Sequence, residues 1–292
     1  MVREGDEASW SGMEHGESGR WADLHLHSFY SDGTYSPEEV VHRAAEAGLS
    51  VISVTDHDHV GGLPDAFEAG RRMGVEVVPG LELSASLGEK DVHLLAYLFD
   101  PSNQSLLDYL SFFRLERLKR AERMVKKLNQ INVPLSLEAV LERAGIGSVG
   151  RPHIAHALVD DGLTVSYQEA FIKYIGAGGP AFERKFQLTP KEAIRLIADA
   201  GGLVFLAHPG KYLSEPELIE LIKMGLDGIE VTHPSHSESQ RAYYRGIANE
   251  YFLLESGGSD FHGGKKGDDA MFGAFRVPVR LVDEMKQRLY RS

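Results

Sequence analysis

Residues 22–33 read ADLHLHSFYSDG. In an extended chain successive side chains point to opposite faces, so Leu24 and Leu26 share one face while Asp23, His25 and His27 share the other. Two imidazoles one residue apart on one face are suited to hold a metal ion. They are equally suited to be ordinary strand histidines with solvated or hydrogen-bonded rings, and the stretch alone leaves both readings open. What it does establish is a strand with an apolar face, closed by a turn at Asp32-Gly33.

Downstream, Ser36-Pro37-Glu38-Glu39 has the form of an N-cap, a proline at the first helical position and acids in the first turn. A helix is expected over 37–47, stopped by Gly48. The apolar run 51–55 predicts a strand leading into Asp56-His57-Asp58-His59. A helix over 64–73, a stop at Gly74 and a strand over 75–78 follow, ending at Pro79-Gly80-Leu81-Glu82. A fourth strand, 92–98, carries His93. Strands alternating with helices at this spacing predict βαβ units and a parallel sheet.

The rhythm then changes, with helical patterns alone at 106–129, 137–144, 153–160 and 167–174. Leu110, Phe113, Leu118, Met124, Val125 and Leu128 form the apolar stripe of the first, and its intervening Arg and Lys residues read as a solvated face. The alternation resumes with helices at 190–200, 216–224 and 237–251 and strands at 203–207, 228–232 and 252–255. Seven strands therefore begin at residues 22, 51, 75, 92, 203, 228 and 252. The expected organisation is an α/β barrel over 21–100 and 187–292, a helical insertion over 101–186 covering the active site, and a mobile tail over 1–20.

Composition narrows the function. A chain of 292 residues can bury a large core, and no apolar run approaches the ~18 residues of a membrane span. Cysteine is absent, which removes thiolate nucleophiles and thiolate ligands and suits a cytoplasmic protein. Any metal must sit on imidazole and carboxylate, ligands suited to manganese, iron, zinc or nickel. A net charge of -12 argues against binding to long nucleic acid. A small phosphorylated substrate remains compatible, because bound divalent ions reverse the charge inside a cleft.

Chemistry-bearing residues recur at strand ends: His25 and His27 on the first strand, His57 after the second, Glu82 after the third, His208 after the fifth, and Asp260 with His262 after the seventh. In a parallel barrel these converge on the C-terminal rim. With His93, six histidines then share one mouth with Asp32, Glu82 and Asp260. Taken singly each reads as a structural histidine or a capping acid; coincident placement at so many strand ends reads as a metal centre.

These motifs, His25-Leu26-His27 with Ser31-Asp32-Gly33, Thr55-Asp56-His57-Asp58, His208-Pro209 and Ser259-Asp260-Phe261-His262, resemble those of the polymerase and histidinol phosphatase (PHP) family of metal-dependent phosphoesterases. Glu82 and His93 match the additional ligands of its trinuclear members. The resemblance implies a distorted seven-stranded (β/α)7 barrel and two to three divalent ions, manganese foremost, with iron or zinc as alternatives. It implies that His25, His27, Glu82 and Asp260 hold one ion, that Glu82 bridges to a second held with His93 and His208, and that Asp32, His57 and His262 hold a third. The corresponding mechanism is attack on phosphorus by a metal-bound hydroxide, with no covalent enzyme intermediate.

Gly150-Arg151-Pro152-His153 resembles the element that nucleotide-hydrolysing members place over the site. It implies catalytic and substrate contacts from Arg151, forking onto a phosphate, and from His153, as a contact or proton donor. Lys211, His233 and His236 are further candidates for substrate binding, with helix capping as the other reading of His236. The branch most resembled removes the 3′-phosphate of nucleoside 3′,5′-bisphosphates or trims very short RNA from its 5′ end. The expected partner is thus a small phosphorylated nucleotide or very short oligonucleotide, with no membrane partner. A histidinol-phosphate phosphatase and a non-catalytic metal- or nucleotide-binding module are the alternatives. The sequence leaves the metal, the leaving group and the oligomeric state open.

Overall fold

A computed structural model of the protein describes residues 19–184, 186, 188–210, 212–264 and 267–291. The expected tail therefore lies almost wholly outside the described residues, as does Lys211.

The chain opens with β1 (Trp21–Leu26), α1 (Pro37–Glu46), β2 (Val51–Val54), α2 (Leu63–Met73), β3 (Glu76–Leu87) and β4 (Lys90–Tyr97). The punctuation read from sequence is what shapes these units. Ser36 Oγ accepts from the Glu39 N–H while the Glu39 carboxylate accepts from the Ser36 N–H, a reciprocal capping box that starts α1. Gly74, at φ 72°, ends α2 in the left-handed conformation glycine adopts without strain.

Next come α3 (Gln104–Gln130), α4 (Leu137–Ala144), α5 (Arg151–Asp160), α6 (Tyr167–Ala170) and a π-helical turn, Phe171–Ile175. No strand occurs among the described residues of this stretch. Its helices share a core of their own, with Met124, Leu128, Val140, Ile154, Leu158 and Ile175 in contact. The alternation then returns with α7 (Pro190–Asp199), β5 (Leu203–Leu206), α8 (Glu215–Lys223), β6 (Gly228–Thr232), α9 (Glu238–Glu250) and β7 (Leu254–Gly257), and β8 (Val277–Pro278) and α10 (Arg280–Arg291) complete the fold.

The strands form one mixed sheet in the order β7-β6-β5-β4-β3-β2-β1-β8. It curls into a nearly closed α/β barrel, because the segment after β7 returns to β1: the Asp260 N–H donates to His25 O at 2.9 Å and the His27 N–H to Phe261 O at 2.9 Å. Two expectations need correction. The sheet has eight strands rather than seven, since β8 adds two residues antiparallel to β1, too short a run to leave a hydrophobic period. The barrel is also not wholly parallel: β4 runs antiparallel to both β3 and β5. The reason is that β3 continues past Glu82 and turns back through Gly88-Glu89 as a hairpin, with no helix between β3 and β4.

Leu24 and Leu26 are both fully buried, as the alternation requires, yet they pack in different clusters. Leu24 joins Val51, Val78 and Phe205 above the Val282 and Met285 side chains of α10, and Leu26 joins Val40, Ile52 and Phe261 beside α1. A register shift between Asp23 and Leu26 accompanies this division. Each leucine contributes roughly 1.5–3 kcal/mol by burial, so the strand carrying the two histidines is held by its opposite face. No helix among the described residues is long and apolar enough to cross a membrane.

Candidate metal centre

Glu82 lies mid-strand in β3, fully buried, and the site is built around it. Its Oε2 lies 3.2 Å from His25 Nε2, 3.3 Å from His27 Nε2 and 3.2 Å from His57 Nδ1. Its Oε1 lies 2.8 Å from His93 Nδ1 and 3.0 Å from His208 Nε2. Burial alone would raise this carboxyl; His57, His93 and His25 outweigh it and hold Glu82 well below the usual carboxylate range. One carboxylate thus faces five imidazoles.

The remaining acids close two further groups. Asp260 Oδ1 sits 3.3 Å from His25 Nε2 and 3.1 Å from His27 Nε2. Asp32 Oδ1 sits 3.2 Å from His262 Nε2 and 3.9 Å from His57 Nε2. All nine residues singled out in the sequence as ligands are therefore brought together. His93 reaches the mouth despite the reversed direction of β4, because it lies near the start of that strand, paired with Ser84.

The local structure that delivers each ligand is specific. Asp56, buried below β2, accepts from the Ser28 N–H at 2.8 Å and from the Ser28 and Ser31 hydroxyls at 2.6 Å, which fixes the turn carrying Asp32. Asp23 accepts from the His25 and Ser259 N–H groups, which ties β1 to the β7 loop; burial raises its carboxyl to about 7 against the lowering effect of these hydrogen bonds. Gly258 must be glycine here, since a Cβ would lie 2.4 Å from the His25 nitrogen. His208 and Asp260 adopt φ values of 24° and 51°, strained for residues other than glycine.

These residues fit divalent cations. Nitrogen and oxygen donors bound at about 2.0–2.2 Å to one ion sit about 3 Å from each other, the spacing found around Glu82. His57 Nδ1, His93 Nδ1 and His262 Nε2 are buried without a hydrogen bond although a carboxylate oxygen lies 2.8–3.2 Å away. Close approach without hydrogen-bond alignment suits donors directed at a shared cation. Four groups among the described residues have donor atoms close enough to share an ion: His25, His27, Glu82 and Asp260; His27, Asp32, His57 and His262; His57, Glu82 and His93; and His25, Glu230 and His233.

One residue of the site is missing from the sequence reading. Glu230 on β6 is fully buried; its Oε1 lies 2.9 Å from His25 Nδ1 and its Oε2 accepts the His208 N–H at 2.6 Å. It fixes the His25 ring so that Nε2 faces Glu82 and Asp260. The only signal in the sequence is an acid inside an otherwise apolar strand.

The substrate candidates separate. Arg151 lies 3.7 Å from Asp91 and lines a cavity of about 190 Å³ that also exposes Asp32, His57 and His93. Arg117 and Arg120 of α3 line the same cavity, so these arginines do not belong to a solvated face. Arg117 donates to Asp58 and, at 2.9 Å, to Ser84 Oγ. Arg120 donates to Glu183 O at 2.9 Å, and burial, then the neighbouring Arg151 and Arg117 charges, bring it down to about 10. Helical periodicity placed these arginines correctly on a non-core face; it could not show that the helix lies across the barrel mouth.

His153 is buried, accepts from the Gly150 N–H at 3.0 Å through Nδ1, and is lowered to about 4, mainly by desolvation. It lines the same cavity as Arg151, and its ring fixes the Gly150-Arg151 turn. His233 Nδ1 accepts from the Ser235 N–H at 3.0 Å, and its Nε2 lies 3.3 Å from Asp260 Oδ2, within the site. His236 is buried, with Nδ1 donating to Val231 O and Nε2 accepting from the Gly210 N–H. Both of its ring nitrogens are engaged by the main chain, so it braces the loop after His208.

Comparison with known proteins matches residues 23–176 to the PHP domain. The chain is 34% identical over 251 residues to the 3′,5′-nucleoside bisphosphate phosphatase of Chromobacterium violaceum, covering 84% of this chain and 88% of that protein. It is 33% identical over 245 residues to a 5′-3′ exoribonuclease of Haemophilus influenzae, covering 82% and 89%. It is 35% identical over 265 residues to the phosphoribosyl 1,2-cyclic phosphate 1,2-diphosphodiesterase of Eggerthella lenta, covering 88% and 99%. Among solved structures, a protein of Bifidobacterium adolescentis assigned provisionally as a metal-dependent phosphoesterase superposes with a TM-score of 0.84 at 34% identity, covering 91% of this chain and 96% of that one.

Proposed function

The chain belongs to the PHP domain family and is a metal-dependent phosphoric ester hydrolase, and from that premise we propose that its substrates are small nucleotides carrying a second phosphate. The observation that carries this reading is the continuity of the ligand cluster with a cavity lined by Arg117, Arg120 and Arg151. Three guanidinium groups line this one cavity, and the Arg151 and Arg117 charges add to burial in lowering Arg120, so they form a ready anion site. A nucleoside 3′,5′-bisphosphate, or a 5′-phosphorylated short RNA, offers that anion at one end and a scissile phosphate at the other.

Two or three divalent ions, with manganese the first choice, would be held by His25, His27, Asp32, His57, Glu82, His93, His208, Asp260 and His262. When bound they supply Lewis acidity to the phosphoryl oxygens and acidify water enough for attack near neutral pH. The chain's own residues do the rest. Glu230 orients His25, Asp56 positions the Asp32 turn, and Arg151 with Arg120 orients the distal phosphate. We take residues 101–186 as an insertion in the barrel: α3 and α5 place the arginines over the mouth and narrow the access of water. A cytoplasmic site of action, away from membranes and long nucleic acid, belongs to the same proposal.

The two alternatives are weaker. Histidinol phosphate carries a cationic amino group, which the arginines would repel. A non-catalytic binding module has no need of nine converging ligand-type side chains. The test is a phosphate-release and product screen on a nucleoside 3′,5′-bisphosphate, a 5′-phosphorylated dinucleotide, the cyclic phosphoribosyl ester and histidinol phosphate. The reading expects the first two to exceed histidinol phosphate by at least about tenfold, equivalent to ~1.4 kcal/mol of transition-state discrimination. Preference for histidinol phosphate would overturn it.

A further inference from the structure

A second cavity opens on the other side of the ligand cluster. It holds about 760 Å³ and is lined by His208, Asp260 and His233 of the centre, then by Gly210, Tyr212, Ser235, Ser237 and Gln240. The arginine cavity shares none of these residues, being bordered by Asp32, His57 and His93. The centre therefore borders two chambers with different linings. One is cationic; the other shows no lysine or arginine among its described lining residues.

A nucleoside 3′,5′-bisphosphate needs only the first chamber. Its 5′-phosphate sits among the arginines, its 3′-phosphoryl lies over the ligand cluster, and nothing extends beyond. We propose that the second chamber is the subsite for the downstream nucleoside of a 5′-phosphorylated short RNA, with Tyr212 and Gln240 as its binding residues. This rests on the nucleotide reading given above and adds where the continuing chain lies.

The chemistry is the same for both substrates. Water adds to phosphorus, the P–O3′ bond breaks, and a proton goes to the departing 3′-oxygen. The transferred phosphoryl leaves as inorganic phosphate from the bisphosphate, or as the 5′-phosphate of the downstream nucleoside from the dinucleotide. The substrates differ only in what that phosphoryl carries, which is the part the second chamber would hold.

Its walls suit a neutral nucleoside. The volume lies within the roughly 300–1,000 Å³ of small-molecule sites. Tyr212 is 39% exposed as a residue and lines the chamber, on a loop whose Gly210 is braced by the Tyr244 hydroxyl and by His236. Aromatic rings of this kind stack on unpaired bases. Gln240 spends its carboxamide oxygen on the Ser237 N–H and hydroxyl, at 3.0 and 2.9 Å, which leaves its buried Nε2 without an acceptor. A base or ribose oxygen would satisfy that donor.

Two substitutions test this. Tyr212→Ala removes the ring, with Tyr212→Phe as the conservative partner. Gln240→Glu keeps the oxygen that caps α9 while replacing the Nε2 donor by an acceptor. The measurement is kcat/KM for a 5′-phosphorylated dinucleotide divided by kcat/KM for the matching 3′,5′-bisphosphate. Loss of one stacked base predicts that Tyr212→Ala lowers this ratio roughly tenfold, that Gln240→Glu lowers it in the same direction, and that Tyr212→Phe restores it. An unchanged ratio in both Tyr212→Ala and Gln240→Glu, with the wild-type enzyme hydrolysing both substrates, overturns the second chamber alone. Failure of the wild-type enzyme on both substrates overturns the nucleotide reading and the chamber together.

Discussion

Replacing Glu230 by Gln preserves volume and removes one buried charge, and its consequence follows from two contacts. The carboxylate serves His25 Nδ1 at 2.9 Å and the His208 N–H at 2.6 Å. A carboxamide has one oxygen for these two donors. If the oxygen stays on His208, the NH₂ group faces His25 Nδ1, drives the imidazole to its other tautomer and puts the proton on the Nε2 that faces Glu82. If it stays on His25, the His208 N–H is buried unsatisfied, at a cost of about 1–3 kcal/mol. Either outcome degrades the ligand set, and outer partners of this kind typically change metal affinity by about 10–100-fold. Chelator competition with manganese on wild-type and Glu230→Gln protein measures that ratio, and turnover at saturating manganese should recover more than turnover at limiting manganese. Equal affinities in a folded variant would refute the claim that Glu230 sets the His25 ring.

Other expectations follow from the same geometry. His25→Ala and Asp260→Ala each remove a ligand, so elemental analysis should show lost metal, and turnover should fall by more than the ~100-fold ceiling for an outer partner. Asp58→Asn leaves Arg117 as an uncompensated, largely buried cation; urea unfolding should show a loss of about 3 kcal/mol, partly recovered by adding Arg117→Met. His153 has a folded value of about 4 against 6.5 when unfolded. Below pH 6.5 the unfolded chain binds the extra proton, so this stabilisation is complete above 6.5 and is lost as pH falls toward 4. His153→Gln does not titrate, and in metal-free protein the stability difference from wild type should therefore shrink by about 1–2 kcal/mol between pH 7 and pH 5.

The sequence carried the ligands because metal chemistry restricts residue types severely: only His, Asp and Glu were available, and most of them fall at or just after strand ends, although Glu82 and His93 lie within β3 and β4. It carried the helix starts for a similar reason, since Ser36 with Glu39 and Thr189 with Glu192 form reciprocal caps. Strand direction was less legible. The continuation of β3 through Ser84 and Ala85 into a hairpin gives the same alternation whether its neighbour is parallel or antiparallel, so β4 was read into a parallel barrel. Glu230 escaped because a buried acid inside a strand has no local pattern; its meaning comes from His25, 205 residues away. Arg117 and Arg120 illustrate the limit of helical periodicity, which separates core from non-core faces without showing what the non-core face meets.

The central claim is that nine side chains form a multinuclear centre on which hydrolysis depends. Its most direct test is the divalent metal content per chain of protein purified without added metal, measured beside turnover of a nucleoside 3′,5′-bisphosphate before stripping with chelator, after it, and after restoring manganese. The account predicts two to three ions per chain, turnover lost on stripping and regained with manganese. Undiminished turnover by fully stripped protein would contradict it.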